Sequence, residues 1–136
     1  MKISLIEPLG VKPEVIEELS AGLREQGHTF ISYETLAADE AEQIKRVKDS
    51  DIVMIANHPF RKNVIDAAAN LKMLDIAFTG IDHVDAQACR DRGITICNAA
   101  GYSTETVAEL IIAMAVGALR NMVKADRVVR DRKSVV

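Results

Sequence analysis

Short runs rich in apolar, β-favouring residues alternate along this chain with stretches of helical spacing, and that alternation limits the possible folds more than any other feature. Residues 2–7 read as a first strand, with Ile3, Leu5 and Ile6 apolar and β-favouring, ending at the turn Pro8-Leu9-Gly10. Pro13 suits the first turn of a helix, Glu14, Glu17 and Glu18 complement its positive end, and Val15, Ile16, Leu19 and Leu23 fall at helical spacing. Gly27 stops that helix. Residues 29–33 form a second strand, 39–48 a second helix with Ala41, Ile44 and Val47 inward, 51–56 a third strand, and 63–69 a third helix. The run 73–78, apolar but for Asp75, is a fourth strand, and it meets Gly80 where side chains turn polar, as a buried parallel strand does when it delivers a loop to a ligand. Asp85 stands at the N-cap of a short helix that Gly93 ends, and the next strand leads to Gly101 and a much longer helix.

This order predicts an α/β fold: a flavodoxin-like parallel sheet with helices on both faces and right-handed crossovers, followed by a long C-terminal connecting helix. Open sheets of this kind take ligands at the carboxyl ends of their strands. The loops expected there are Glu7-Pro8, Asn57-His58-Pro59, Thr79-Gly80-Ile81 and Asn98-Ala99-Ala100-Gly101. Residue types alone read the second as a turn, with Pro59 forcing His58 towards extended geometry, and the third as a tight turn in which Gly80 takes φ > 0 or lets a ligand approach the backbone.

Length and charge exclude several classes. With 136 residues, 49% of them hydrophobic, and a net charge of −3, the chain has room for one domain with a real core. No nucleic-acid partner is expected, because the one basic-rich stretch, 124–133, also carries Asp126 and Asp131 and reads as a solvated helix face. No membrane partner is expected either: the longest apolar run, 110–119, is well short of the roughly 20 residues that span a bilayer. The start of the chain lacks a signal-peptide pattern, so a cytoplasmic location is expected. Cys89 and Cys97 belong to no metal-binding spacing, no metal site is expected, and both read as small core residues.

Three motifs lie close together and in order: Thr79-Gly80-Ile81-Asp82-His83-Val84-Asp85, then Arg92-Gly93-Ile94-Thr95-Ile96-Cys97-Asn98, then Gly101-Tyr102-Ser103-Thr104-Glu105-Thr106-Val107-Ala108-Glu109. With them the chain resembles the D-isomer-specific 2-hydroxyacid dehydrogenases, the family of phosphoglycerate, glyoxylate/hydroxypyruvate and D-lactate dehydrogenases, strongly over residues 71–121 and more loosely before them. The resemblance implies that backbone N–H groups around Gly80 and Ile81 bind a substrate carboxylate and that Asn57 and His58 help hold the substrate, although relatives often place an Arg or Ser in that loop. Thr79 would lie beside the cofactor, and Thr106, at a helix start facing the nicotinamide, would also open a T-x-x-E capping box with Glu109. Asp82 and His83 are expected to stabilise their loop rather than perform chemistry, since His83 has no orienting partner beyond its neighbours.

By the same resemblance, residues 1–101 form a substrate domain and 102–136 a connecting helix that in relatives leads to an NAD-binding Rossmann domain. None of the seven glycines lies two positions from another, so no G-x-G-x-x-G fingerprint is present. The complete enzyme would use NAD, or NADP, to interconvert a small 2-hydroxy acid and a 2-oxo acid. The Arg, Glu and His that relatives use in catalysis would lie beyond this chain, which is therefore expected to contain no catalytic residue, to bind no cofactor and to be inactive alone. The connecting helix is apolar nearly all round over 107–119, a surface that needs a second body, and a homodimer through the helix starting near Thr104 is expected.

Rival readings are weaker. A phosphoacceptor receiver needs an acidic pair after the first strand and an Asp after the third, which Glu7 and Ala56-Asn57 do not supply. A flavodoxin needs a hydroxyl-rich loop where Pro8-Leu9-Gly10-Val11-Lys12-Pro13 stands. The alternative that remains is a non-catalytic module that binds small carboxylates or dimerises.

Overall fold

The computed structural model describes residues 1–131, so that Lys133 of the basic-rich stretch and the end of the expected connecting helix lie outside the described residues. Two compact units emerge, one of residues Met1–Ala100 and one from Gly101 onward.

The first unit is a five-stranded parallel sheet in the order β2-β1-β3-β4-β5. Its strands are β1 (Lys2–Leu5), β2 (Thr29–Ser32), β3 (Ile52–Ile55), β4 (Met73–Ile76) and β5 (Thr95–Asn98), and the helices between them are α1 (Pro13–Glu25), α2 (Glu40–Val47), α3 (Lys62–Ala67) and α4 (Ala86–Asp91). Register puts Val53, Leu74 and Ile96 abreast on one face of the sheet and Ile52, Met73 and Thr95 abreast on the other. The first face is the core: Val53, Ile55, Leu74 and Ile76 are fully buried with Val47 of α2, Val64 and Ile65 of α3, Cys89 of α4 and the loop residue Phe60. Burying side chains of this size stabilises the fold by roughly 1.5–3 kcal/mol each. On the opposite face α1 lies along the β2 edge, where Ile16 and Leu5 line one hollow. Helices therefore cover both faces, as expected, three on one and one on the other.

Local chemistry sets the helix ends. The Asp39 carboxylate accepts from the Glu42 N–H at 2.8 Å and Glu42 accepts from the Ala38 N–H at 2.6 Å, so α2 starts on a reciprocal pair of caps. Asp85 is the N-cap expected of it, accepting from the Ala88 N–H at 3.0 Å. Gly93, at φ 68°, ends α4 by donating to the Arg90 carbonyl while the Ile94 N–H reaches that of Cys89 at 2.9 Å.

Some inward-facing assignments need correction. Ala41 is exposed, and the buried face of α2 is Gln43, Arg46 and Val47, because α2 turns polar side chains towards unpaired backbone groups of the neighbouring loops. In α1 the inward line is Ile16, Ser20 and Leu23, whereas Val15 and Leu19 face outward, Leu19 being 76% exposed.

The second unit differs from a single long helix. Helix α5 (Thr104–Leu119) and helix α6 (Met122–Arg130) are separated at Arg120 and Asn121 and bent by 61°. Asn121 is left-handed at φ 51°, a conformation that Asn tolerates better than most side chains, and one such residue stops the hydrogen-bond ladder of α5. Neither helix contains a buried residue. The capping box expected at Thr106 and Glu109 does not form at the helix start: Ser103 is the N-cap, and Thr106 already lies within the first turn.

Candidate functional site

The carboxyl ends of adjacent strands place three loops of the first unit side by side. Residues 56–59 follow β3, 77–84 follow β4, and Ala99 follows β5. Backbone hydrogen bonds join them. The Phe60 N–H donates to the His83 carbonyl at 2.9 Å and the Asp85 N–H to that of Phe60 at 3.1 Å, so a parallel bridge between Phe60 and Val84 fastens the first loop to the second. The Asn98 side chain donates to the Thr79 carbonyl at 2.7 Å and the Ala99 N–H to that of Phe78 at 3.1 Å, which fastens the second to the third.

Within this frame the loop after β4 is half-buried at Gly80 and Ile81, and Ile81 packs on the core. Among the described residues, none of the N–H groups of Thr79, Gly80 and Ile81 donates to a protein acceptor. The backbone of Gly80 is not left-handed, and a Cβ placed on it would meet only the Asp82 carboxylate at 3.7 Å. Of the two roles that the sequence leaves open for this glycine, close approach to its backbone is therefore the one the geometry allows. Thr79 is exposed, and its hydroxyl reaches only the Ala99 carbonyl, at 3.4 Å.

Asn57 is exposed and His58 half-buried in the loop after β3. Their backbone is held by Glu7, a residue just after β1 that is only 3% exposed and whose carboxylate accepts from the N–H groups of Ala56 and His58. From the side, Gln43 of α2 donates to the Pro59 carbonyl at 3.0 Å. Arg46, one turn further along α2, donates to the Ile6 carbonyl at 2.8 Å and to that of Thr35, pairs with Glu42, and lies over the Tyr33 ring at 4.4 Å. Sequence reasoning named Glu7 only as part of a loop and missed Gln43 and Arg46. The spacing of Gln43, Arg46 and Val47 on one helical face was the available signal.

His83 contributes its carbonyl to the loop frame, but its Nε2 is buried without a partner among the described residues. Cys89 is buried in the core, and burial together with the nearby Asp85 charge pushes its thiol upward in pKa, as suits an inert side chain. Cys97 is half-buried on β5. Thr106 belongs to the second unit, exposed in the first turn of α5. Among the described residues no group of three His, Cys, Asp or Glu side chains could hold a metal ion, and no single helix is long and apolar enough to cross a membrane.

The model of the D-isomer specific 2-hydroxyacid dehydrogenase catalytic domain matches residues 3–126. The chain belongs to the D-isomer-specific 2-hydroxyacid dehydrogenase family. Among the curated relatives of this 2-hydroxyacid dehydrogenase chain is the D-3-phosphoglycerate dehydrogenase of Archaeoglobus fulgidus, 34% identical over 98% of this chain and 24% of its own length. Solved structures agree. An acyclic imino acid reductase in complex with NADPH and D-Arg superposes with a TM-score of 0.84 at 26% identity, over 100% of this chain and 43% of that one. The NAD-dependent formate dehydrogenase from Staphylococcus aureus in complex with NAD gives 0.77 at 29% identity, over 98% and 43%. The chain spans about a quarter of the length of the curated relatives it matches.

The glycine spacing that cradles a pyrophosphate at a helix N-terminus is not found in these residues, since no two glycines are separated by a single residue.

Proposed function

We propose that this chain is the substrate-side part of an NAD-dependent D-2-hydroxyacid dehydrogenase and that its own chemistry is to bind and orient a small 2-oxo or 2-hydroxy acid. The observation that carries the reading is the pair of N–H groups at half-buried Gly80 and Ile81, which, with that of exposed Thr79 before them, have no protein acceptor among the described residues, on a loop whose glycine leaves the approach open. Sheltered backbone donors need acceptors, and a carboxylate supplies ionised oxygens that strengthen each bond. Relatives described as glyoxylate reductase and glycerate dehydrogenase support a small carboxylic acid as the ligand. Asn57 and His58, in the loop next door, face the remainder of the substrate.

In the complete enzyme NAD, or NADP, accepts or supplies the hydride, bound mainly by residues beyond this chain, with Thr79 and Thr106 touching one edge. The chain alone is inactive. Its α5 exposes Leu110, Ile111, Met114 and Leu119, each more than half accessible, and two copies pair through this helix. A cytoplasmic location follows from the resemblance to soluble dehydrogenases.

The test is a titration of this chain with glyoxylate or pyruvate followed by backbone amide shifts. The expected result is a millimolar response, about −4 kcal/mol, centred on residues 79–81, with no turnover when NAD is added. Shifts confined to other regions refute the reading.

A further inference from the structure

We infer that Glu7 is the positioning residue of the substrate loop: its carboxylate closes the crevice between β1 and β3 and turns the loop of Asn57 and His58 towards the ligand. The inference rests on the carboxylate-binding reading of the Gly80 loop and adds to it a residue that contacts no substrate.

Three observations carry it. First, the strand order reverses between β1 and β3, and in open parallel sheets the crevice at such a reversal is the default place for a ligand. Here the protein fills it with its own anion, since Glu7 follows β1 and takes the backbone donors of the loop after β3. The vacant donors are found one strand further along, at the loop after β4. Second, Glu7 is buried with no cationic side chain within ion-pair distance among the described residues. Burial of an unpaired carboxylate is costly unless hydrogen bonds compensate, so the two amide donors and Glu7 hold one another in place. Both carboxylate oxygens lie within reach of the His58 N–H, at 3.3 and 3.4 Å, and one of them also takes the Ala56 N–H. A side-chain amide has only one accepting oxygen and would turn an NH2 group towards a donor.

Third, the surroundings fix both partners of this clamp. Arg46 holds the Ile6 carbonyl, one residue before Glu7, and Gln43 holds the Pro59 carbonyl, one residue after His58. The loop is thus pinned at its inner amides and at its far carbonyl. Between the pins, the Asn57 N–H has no acceptor among the described residues, and the Asn57 side chain is exposed.

The experiment compares this chain with Glu7→Gln and with Ser4→Ala. Ser4→Ala removes the buried 2.7 Å hydroxyl pair with Ser50 and serves as a control for stability lost elsewhere in the same sheet. Amide hydrogen exchange and a glyoxylate titration are read by backbone NMR, below the melting temperature of each variant. In Glu7→Gln the Ala56 and His58 amides lose protection, the glyoxylate response of Asn57 and His58 disappears, and the dissociation constant rises roughly tenfold, the worth of one hydrogen bond withdrawn from the ligand. Gly80 and Ile81 still respond, and Ser4→Ala leaves both loops responding. Equal responses in Glu7→Gln and the unmodified chain overturn the role of Glu7, as do equal losses in Ser4→Ala. A missing response at Gly80 and Ile81 in the unmodified chain overturns instead the carboxylate reading on which it rests.

Discussion

Replacing Gly80 by Val separates recognition from folding. Most glycines at loop tips are poor targets, because a side chain at positive φ is strained whatever space surrounds it, and Gly10, Gly27, Gly93 and Gly101 are of that kind. Gly80 is not. Its backbone suits any residue, and a Cβ there meets one flexible carboxylate oxygen at 3.7 Å, an ordinary contact. The fold therefore accepts a larger residue within about 1 kcal/mol, and Gly80→Ala is expected to be neutral or slightly stabilising because the unfolded chain loses freedom.

Binding responds differently. A side chain on Gly80 stands on the Cα between its own N–H and that of Ile81, the two half-buried groups without a protein acceptor among the described residues. A carboxylate oxygen must come within about 2.9 Å of each nitrogen, and valine methyls there prevent it. Each hydrogen bond to a charged group is worth roughly 1.5–3 kcal/mol, so loss of one raises a millimolar dissociation constant by at least about tenfold, and loss of both leaves no measurable affinity. Amide shifts on glyoxylate addition give the affinity, and urea denaturation of the same samples gives the stability. A folded Gly80→Val variant that binds as the unmodified chain does would refute the backbone-approach argument, whatever the other variants show.

Other expectations follow from the same geometry. Arg46→Met leaves the Ile6 and Thr35 carbonyls without their donor, while half-buried Glu42 can turn to water; a loss of about 3 kcal/mol in urea denaturation is expected, and one under about 1 kcal/mol would contradict the bracing role. Asp75, on β4, has its carboxyl pKa raised by burial, so the native state holds the proton to higher pH than the unfolded chain, and stability falls as pH rises from the usual carboxylate range through the native value. Asp75→Asn should therefore stabilise the fold at neutral pH and change little near pH ~3, where the carboxyl is protonated in both states. Asp51 works in the opposite sense: hydrogen bonds from Lys72 and the Lys2 N–H lower its pKa, so its contribution is present at neutral pH and is lost as pH falls through the native value, which Asp51→Asn should abolish in the same pH series. Sedimentation is expected to show a dimer at micromolar concentration and a monomer for Ile111→Glu; a monomeric unmodified chain would contradict pairing through α5.

Much of the fold was legible because its signals are local. Runs bounded by Gly, Pro and Asp gave four strands to within two residues and placed a fifth between Gly93 and Gly101, and Asp85 and Gly93 bracket α4 as their side chain and backbone freedom require. The break at Asn121 was not legible, since helical spacing runs on past it to Arg130 and a single Asn, though a poor helix former, does not by itself end a helix. Periodicity also misplaced the inner face of α2. An apolarity count favours Ala41, Ile44 and Val47, of which Ile44 and Val47 do pack on the core and Ala41 does not, whereas the structure also buries Gln43 and Arg46 because their partners are carbonyls far away in sequence, at Pro59, Ile6 and Thr35.

The same limit explains why the candidate site was only half visible. The Gly80 loop entered as a candidate through the resemblance carried by Thr79-Gly80-Ile81-Asp82-His83-Val84-Asp85, since residue types alone left it a tight turn. The support of the loop after β3 could not be read, because it depends on a pairing across 49 residues between the Glu7 carboxylate and the Ala56 amide. A glutamate at the end of a strand looks like any solvated acid until the parallel pairing of β1 with β3 sets Leu5 beside Met54 and carries both following loops to one crevice. In that position a carboxylate is the side chain best able to satisfy two inward-facing N–H groups, and burial makes each of those bonds stronger than it would be in water. The sheet order thus decides what Glu7 does: on an edge strand the same residue would be hydrated, and the Asn57 loop would have nothing beneath it.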